Sequence, residues 1–154
     1  MKKIVPSLWF ADNNCNEAIH YYLKVFPNST IDEVTYYPDA KLDKHFEGMK
    51  GKILNASFHL NGQKFLALDG GPAFRINEAI SFTIECADQS EIDYYWEKLS
   101  HVSEAEQCGW VKDQFGISWQ IVPANMAELT QTPAQVQALM QMKKIDIAAL
   151  VAAK

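Results

Sequence analysis

The feature that most constrains the fold of this chain is an internal repeat of one strand–helix–strands unit. Phe10-Ala11-Asp12 precedes a helical pattern that carries Tyr21-Tyr22, and Cys86-Ala87-Asp88 precedes one that carries Tyr94-Tyr95. Each helical pattern is followed by strand patterns that end in a hairpin with a glycine turn. Chance agreement between common residue types is the alternative interpretation. A true duplication predicts two similar modules that form one small α+β domain.

The two copies align when Val5 is placed on Ser81 and Gly62 on Gly116. Each copy is expected to fold as a βαβββ module. Apolar residues at helical spacing behind the second copy predict a helical tail, which packs on its own domain or on a twin subunit. The predicted division of the chain is a single domain at 1–128, with modules at about 1–75 and 76–128, and a C-terminal helical extension at 129–154.

Capping signals mark where the helices begin. Asn14 is followed three residues later by Glu17, and Asp88 is followed in the same way by Glu91, which predicts a capping box at each helix. Thr132 is the predicted cap of the tail, because a proline follows it at the first helical position. The apolar stripes of the tail consist of Val136, Leu139 and Met140, and then of Ile147, Leu150 and Val151.

Composition excludes several classes of partner. The 154 residues carry a net charge of -5 and contain no run of Lys and Arg, so a nucleic acid partner is not expected. No apolar stretch approaches the ~20 residues of a membrane span, and the N-terminal segment is typical of a first strand rather than of a signal peptide. The cysteines, Cys15, Cys86 and Cys108, form no C-x-x-C motif. We therefore expect a soluble cytoplasmic protein with reduced thiols.

Five segments of the chain resemble a known family. They are 68–74 (LDGGPAF), 79–82 (AISF), 108–113 (CGWVKD), 116–123 (GISWQIVP) and 140–146 (MQMKKID). With these segments the chain resembles the PhnB-like branch of the vicinal oxygen chelate superfamily, whose family description is 3-demethylubiquinone-9 3-methyltransferase. The superfamily contains glyoxalase I, extradiol dioxygenases and the bleomycin-resistance proteins. The resemblance covers nearly the whole chain, and it implies two βαβββ modules that form a concave mixed sheet, and a homodimer.

The resemblance also implies where a metal ion would bind. Metal-dependent members draw their ligands from the first and last strand of each module, which here places Val5, Leu66, Ser81 and Gln120 at those positions. None of these side chains, and none of their neighbours, is a strong ligand for a divalent ion. The sequence therefore predicts no metal site. A metal-dependent lyase, isomerase or dioxygenase with ligands from elsewhere in the chain is the first alternative.

The four histidines are the first candidates for such alternative ligands, but they form no metal-binding motif. His20 belongs to the first helical pattern, His45 to a polar loop, and His101 follows the second helical pattern. His59 lies in a segment where polar and apolar residues alternate, so that its side chain is on the polar face of a strand. That face either lines a pocket or contacts solvent.

The family description implies methyl transfer from S-adenosylmethionine. The usual methyltransferase binds this cofactor on a Rossmann-like sheet with a glycine-rich turn. This chain has no G-x-G motif, and Gly70-Gly71 follows a predicted hairpin instead of preceding a helix. Two modules also leave no room for a second cofactor domain. We therefore expect no cofactor and no methyl transfer.

A small-molecule pocket is the remaining hypothesis. Ser81 and Gln120, at two of the metal positions, would hydrogen-bond a neutral ligand from the strands. Glu85 is a candidate general base if it is buried. Cys108 is a candidate nucleophile, although a buried structural thiol is the favoured interpretation. The other predicted ligand-binding residues, whose alternative role is packing or contact with solvent, are Trp9, His59, Thr83, Trp110 and Ser118.

The sequence thus predicts a small-molecule-binding protein or a metal-independent enzyme of the superfamily. The second alternative is a non-enzymatic interaction module, in which the dimer and its helical tail are the function. This alternative predicts an apolar surface that the dimer leaves uncovered.

Overall fold

A computed structural model describes residues 3–38 and 47–153 of the chain. The chain divides into two compact units, Met1–Ile76 and Asn77–Lys154. The interpretation of both modules as a single domain stays a prediction. The helices and strands in chain order are β1 Ser7–Phe10, α1 Cys15–Val25, β2 Thr30–Tyr36, β3 Ile53–Leu60, β4 Gln63–Asp69, β5 Ser81–Cys86, α2 Gln89–Leu99, β6 Trp110–Lys112, β7 Ser118–Pro123, α3 Pro133–Met140 and α4 Ile147–Ala152.

The first unit is a four-stranded sheet with one helix packed on it. The strand order is β1-β4-β3-β2, with β1 parallel to β4 and the other pairs antiparallel. Because successive side chains of a strand point to opposite faces, one face of the sheet is apolar and buried beneath α1. Phe10 and Phe58 from the strands and Tyr22 from α1 are among its fully buried side chains. Phe58 also stacks on Phe65, with 5.6 Å between ring centroids.

The predicted capping box at Asn14 does not form. Asn14 has φ -114° and ψ 26°, rather than the extended conformation in which a cap side chain reaches the first turn, and it makes no capping hydrogen bond. The buried carboxylate of Asp69 replaces it: Oδ1 accepts from the N–H of Cys15 at 2.9 Å. The other oxygen accepts from the N–H of Ile53 at 2.8 Å. Asp69 thereby ties the start of α1 to the beginning of β3.

The second unit repeats the arrangement with a three-stranded sheet in the order β5-β7-β6. α2 covers one face through Ile92, Tyr95 and Leu99, which are buried. Asp88 caps this helix as predicted, accepting from the N–H of Glu91 at 3.0 Å. The Glu91 side chain accepts from the residue before the cap, Ala87, at 2.8 Å, so the box closes one residue earlier than predicted.

Strand register confirms the internal repeat. Ser7 pairs with Leu66 in the first unit, and their counterparts under the sequence alignment, Thr83 and Gln120, pair in the second. The second copy nevertheless differs, since no strand corresponding to β2 is found among its described residues. A 3₁₀ turn at Ser103–Ala105 and one bridge between Gln107 and Trp110 stand there instead.

The missing strand has a backbone cause. Cys108 and Gly109, just before β6, both have positive φ, 50° and 88°. This left-handed backbone turns the chain away from an extended path. The N–H groups of His101 and Val102 both donate to Lys112 O, at 2.9 and 3.3 Å, which holds the segment as a loop.

The C-terminal helices pack on the second unit. Thr132 caps α3 in a complete capping box with Gln135, as predicted. Leu129, Ile145 and Leu150 are the buried centre of this packing. The predicted apolar stripes are only partly buried. The polar side chain of Gln135, in contrast, is buried and donates to Leu150 O at 3.3 Å. The stripe residues that remain exposed are Val136, Met140 and Val151.

Across the described parts of the chain, no helix is both long and apolar enough to span a lipid bilayer.

Candidate functional site

The second unit contains an open cleft of about 670 Å³. Two strands and the loop before them form it. Trp110 and Lys112 come from β6 and Ser118 comes from β7. Most of the remaining wall follows α2 in the chain, and Glu78 precedes β5. The described residues of the lining are Glu78, Val102, Glu104, Ala105, Gln107, Cys108, Trp110, Lys112 and Ser118.

Strand alternation places this lining on the sheet face opposite α2. Trp119 and Ile121 of β7 are buried on the α2 side. Gln120, between them, pairs with Trp110 across the strands and so shares its face. Its Nε2 donates to Ser81 Oγ at 2.9 Å. The two polar residues that the repeat places at metal positions are thus bound to each other beside the cleft.

Predicted site residues are distributed unevenly around this cleft. Trp110 and Ser118 line it. Thr83 shares the face by register but is exposed on β5. Glu85 is also exposed, so the burial that its candidate role as a general base requires is not found. Sequence reasoning did not select Lys112, although its place two residues after Trp110 on the same strand was a usable signal.

Two carboxylates near the cleft are paired with cations. Lys112 Nζ lies 3.1 Å from Glu78 Oε2, and this hydrogen bond is the main reason why the pKa of Glu78 is lowered. Glu106 accepts from Ser100 Oγ at 2.6 Å and lies 4.0 Å from Lys143 Nζ. The Glu78 carboxylate is therefore expected to be ionised at neutral pH.

The cleft wall at Cys108 is held by the C-terminal tail. The N–H of Cys108 donates to Met142 O and that of Gly109 to Lys143 O, both at 2.8 Å. The Cys108 thiol donates to Leu139 O at 3.3 Å. The half-buried thiol thus has a backbone partner, which is compatible with the structural role favoured from the sequence.

In the first unit, Trp9 holds the loop that follows β4. Its indole N–H donates to Gly71 O at 2.9 Å, and its ring meets Phe74 edge-on at 5.0 Å. A Cβ on Gly70 would lie 2.1 Å from the indole ring, so only glycine permits this contact. The Trp9 side chain, which was predicted to form a wall of the ligand pocket, thus packs on its own loop.

His59 belongs to a polar cluster centred on Asp32. Its Nδ1 lies 2.7 Å from Asp32 Oδ2, and Ser57 and Thr30 donate to the same carboxylate at 3.3 and 3.0 Å. Partial desolvation raises the pKa of Asp32, but these hydrogen bonds outweigh it and lower the pKa overall. Asp32 was missed because the register shifts between Ile31 and Glu33, which strand alternation does not reveal.

The residues present do not fit a divalent metal ion at the four expected positions. Val5 and Leu66 have no donor atoms, and Ser81 and Gln120 bond to each other. In the described ranges, no three His, Cys, Asp or Glu side chains form a group that could hold a metal. His20 Nδ1 contacts Asn16 O at 2.8 Å and His101 is exposed. His45 lies outside the described residues.

Two modules with matching parallel strand pairs are the glyoxalase/bleomycin resistance-type fold of the vicinal oxygen chelate class of proteins. The model of the 3-demethylubiquinone-9 3-methyltransferase family matches residues 2–122. The chain therefore belongs to this PhnB-like family.

Solved structures share the fold. A PhnB protein from Bacillus cereus, with a provisional 3-demethylubiquinone-9 3-methyltransferase assignment, is 28% identical with a TM-score of 0.63 over 79% of this chain and 99% of its own. Protein PA1353 from Pseudomonas aeruginosa is 20% identical (TM-score 0.58, covering 80% and 98%). The fosfomycin resistance protein FosX from Listeria monocytogenes is 16% identical (TM-score 0.51, covering 85% and 98%). A search of curated proteins finds no match.

Proposed function

We propose that the chain binds a small organic molecule in the cleft of its second unit, and that it does so without a metal ion. The observation that carries this proposal is the cleft itself, whose volume of about 670 Å³ is within the range of ligand sites. Its lining combines apolar surface from Val102, Ala105 and Trp110 with a few polar groups, which is the composition such sites have.

The absence of a metal from this proposal follows from the donor set. A hydroxyl and an amide that bond to each other, together with two aliphatic side chains, offer nothing that competes with water for a divalent ion. Metal-dependent chemistry would need ligands other than those at the four expected positions. The proposal is therefore binding, or a reaction that uses only the side chains of the cleft.

Methyl transfer is not part of the proposal, although the family description names it. A nucleotide-like cofactor is usually held where a glycine-rich turn opens a helix. Here Gly70 and Gly71 follow β4, where Trp9 contacts them, and neither α1 nor α2 begins at a glycine-rich turn. The family description therefore indicates common descent, and the methyl transfer that it names is not proposed for this chain.

A homodimer is the proposed assembly, as the resemblance implies. Large apolar side chains that are exposed support it: Ile4 is 98% exposed, Ile80 73% and Phe74 66%. Such residues are commonly covered in an assembly. Light scattering behind a sizing column measures the mass directly, and a monomer at micromolar concentration would contradict this assembly.

Native mass spectrometry of freshly purified, untagged protein tests the binding proposal. We expect retained organic mass and no stoichiometric transition metal. Trp110→Ala should abolish retention of that mass, because it removes the largest apolar surface of the cleft, whereas Tyr36→Ala, an exposed aromatic on β2 outside the cleft, should not. One transition metal ion per chain would refute the metal-free mode, and equal retention by both variants would refute the cleft as the binding site.

A further inference from the structure

The charges around the cleft indicate which ligands it would select, an inference that rests on the proposed function. Glu78 pairs with Lys112 at 3.1 Å, and Glu106 has Lys143 at 4.0 Å. Glu104 also lines the cleft, but it is exposed and has no cationic partner among the residues that the structure describes. After the paired charges cancel, the cleft keeps one negative charge.

Among the described residues of the lining, Lys112 is the one cation, and it is already engaged. Lys112, whose side chain is 30% exposed, would have to give up Glu78 before it could bind an anionic ligand. Such a ligand would also approach Glu104 and the field of a chain whose net charge is -5. Electrostatics therefore disfavours carboxylates and phosphates in this cleft.

Trp110 provides the complementary aromatic surface. Its ring is half-buried in the lining, and its indole N–H has no acceptor among the described residues. The indoles of Trp9 and Trp119, in contrast, donate to Gly71 O and to Asp113 Oδ2. An indole face attracts a cation as well as another aromatic ring.

From these features we propose that the cleft selects molecules that combine an aromatic ring with a protonated amine. The ring packs on Trp110, and the ammonium group lies between the indole face and the carboxylate of Glu104. A neutral analogue keeps only the ring contact, and an anionic analogue meets Glu104 with the same sign of charge.

Three indole derivatives of matched size test this selection: tryptamine, tryptophol and indole-3-propionate. Their dissociation constants are measured by ligand-observed NMR titration at low and at high salt. We expect tryptamine to bind about fivefold or more tightly than tryptophol, as one partly exposed ion pair provides, with indole-3-propionate weakest. The preference should shrink at high salt, because salt screens exposed charges.

Matched glutamate variants identify the group responsible. Glu104→Gln should remove the preference for the amine over the neutral alcohol, whereas Glu97→Gln, on the exposed surface of α2, should keep that preference. Equal or tighter binding of tryptophol or indole-3-propionate to the native protein would overturn the charge selection while leaving the cleft as a binding site. Failure of all three probes to bind would overturn this inference alone, because the proposed function is tested separately by the organic mass that the native protein retains.

Discussion

Asp69 and Asp113 are buried carboxylates that each accept hydrogen bonds from two backbone N–H groups. Asp113 accepts from the N–H groups of Phe115 and Ile117, at 2.8 and 3.0 Å, and from the indole N–H of Trp119 at 2.9 Å. Asp69 binds two N–H groups of the first unit in the same way. Buried donors without acceptors are costly, so these carboxylates maintain the fold rather than perform chemistry.

Asp69→Ala tests this role. The substitution leaves the N–H groups of Cys15 and Ile53 without their acceptor in a buried place, and we expect it to lower the free energy of unfolding by about 2–3 kcal/mol. Urea denaturation followed by circular dichroism measures the loss. Asp12→Ala is the control, because its ion pair with Arg75 is exposed and should contribute less than about 1 kcal/mol. Equal losses in the two variants would contradict the assignment.

Thiol reactivity is predicted from burial. Burial, followed by the charge of Asp69, raises the pKa of Cys15 to about 12, and burial together with nearby carboxylates raises that of Cys86 to about 12. Neither forms appreciable thiolate at pH 8. Titration with Ellman's reagent should therefore detect at most one thiol per native chain, at Cys108, and three after denaturation. Cys108→Ser should abolish the native signal, and a second native thiol would show that this burial is wrong.

Sequence patterns could identify Trp110 and Ser118 at the cleft, because a strand face shows in alternation. They could not identify Asp32, whose partner His59 lies on another strand and whose position depends on a shifted register. The packing role of Trp9 could not be predicted from the sequence either, since its contact with Gly70 depends on the folded position of the loop after β4.

At the scale of elements, the left-handed backbone at Cys108 and Gly109 replaces a strand by a contact with the C-terminal tail. It stops a strand from forming before β6, and it presents two N–H groups to the carbonyls of the tail. A Cβ on Gly109 would lie 2.8 Å from Ile121 O and 2.9 Å from Ile145 Cδ1. The contact between cleft wall and tail therefore requires glycine for its size as well as for its backbone angles.

Two glycine variants separate these requirements. Gly116 has φ 87°, close to that of Gly109, but a Cβ there would meet nothing within 4 Å. Gly116→Ala should cost about 1–2 kcal/mol for the left-handed backbone alone. Gly109→Ala should cost a further ~1–3 kcal/mol for overpacking. Chemical denaturation of both proteins measures the difference, and equal stabilities would show that the packing at Gly109 yields easily.

Helices and hairpins were predictable because their signals are local. Asp88 and Thr132 cap their helices as predicted, and Asn61 takes the positive φ, 47°, of a hairpin turn. The loss of a strand in the second copy was not predictable, since Cys108 in a left-handed conformation runs against residue preferences. The absence of a cap at Asn14 was not predictable either. Asp69, which is distant in sequence, accepts the hydrogen bond of the first helical N–H in its place.

At the scale of the whole molecule, the two copies share the same backbone arrangement and differ in the side chains at equivalent positions. The equivalent positions are aliphatic in the first copy, Val5 and Leu66, and polar in the second, Ser81 and Gln120. The register predicted from the repeat is the same in both. The fold and family were therefore accessible from the sequence, whereas the cleft depends on side-chain packing that no motif encodes.

Acid should destabilise the protein through several surface carboxylates. Hydrogen bonds from Lys112 lower the pKa of Glu78, and those from Lys144 and Gln89 lower that of Asp93. A carboxylate whose pKa is lower in the folded chain stabilises it above the unfolded pKa, and loses this effect as the pH falls through the folded value. Melting temperature should thus decline below about pH 5.

Lys144→Gln tests how much the ion pair with Asp93 contributes to this loss of stability in acid. It removes the cation 2.7 Å from Asp93, so it should lower the melting temperature at pH 7 and make the fall toward pH 3 shallower than in the native protein. Thermal melts at half-unit pH steps give both curves. Parallel curves would mean that this pair does not contribute to acid sensitivity.

The tail that latches onto Cys108 and Gly109 lies beyond residue 122, where the match to the family ends. Trimming an expression clone to the matched region would remove Leu129, Ile145 and Leu150 and uncover Val122, which packs against them. The product would keep every residue that the family model matches and still expose apolar surface. For this protein, the region that the family model matches ends before the apolar packing of the chain ends. A shortened version should therefore keep the C-terminal helices.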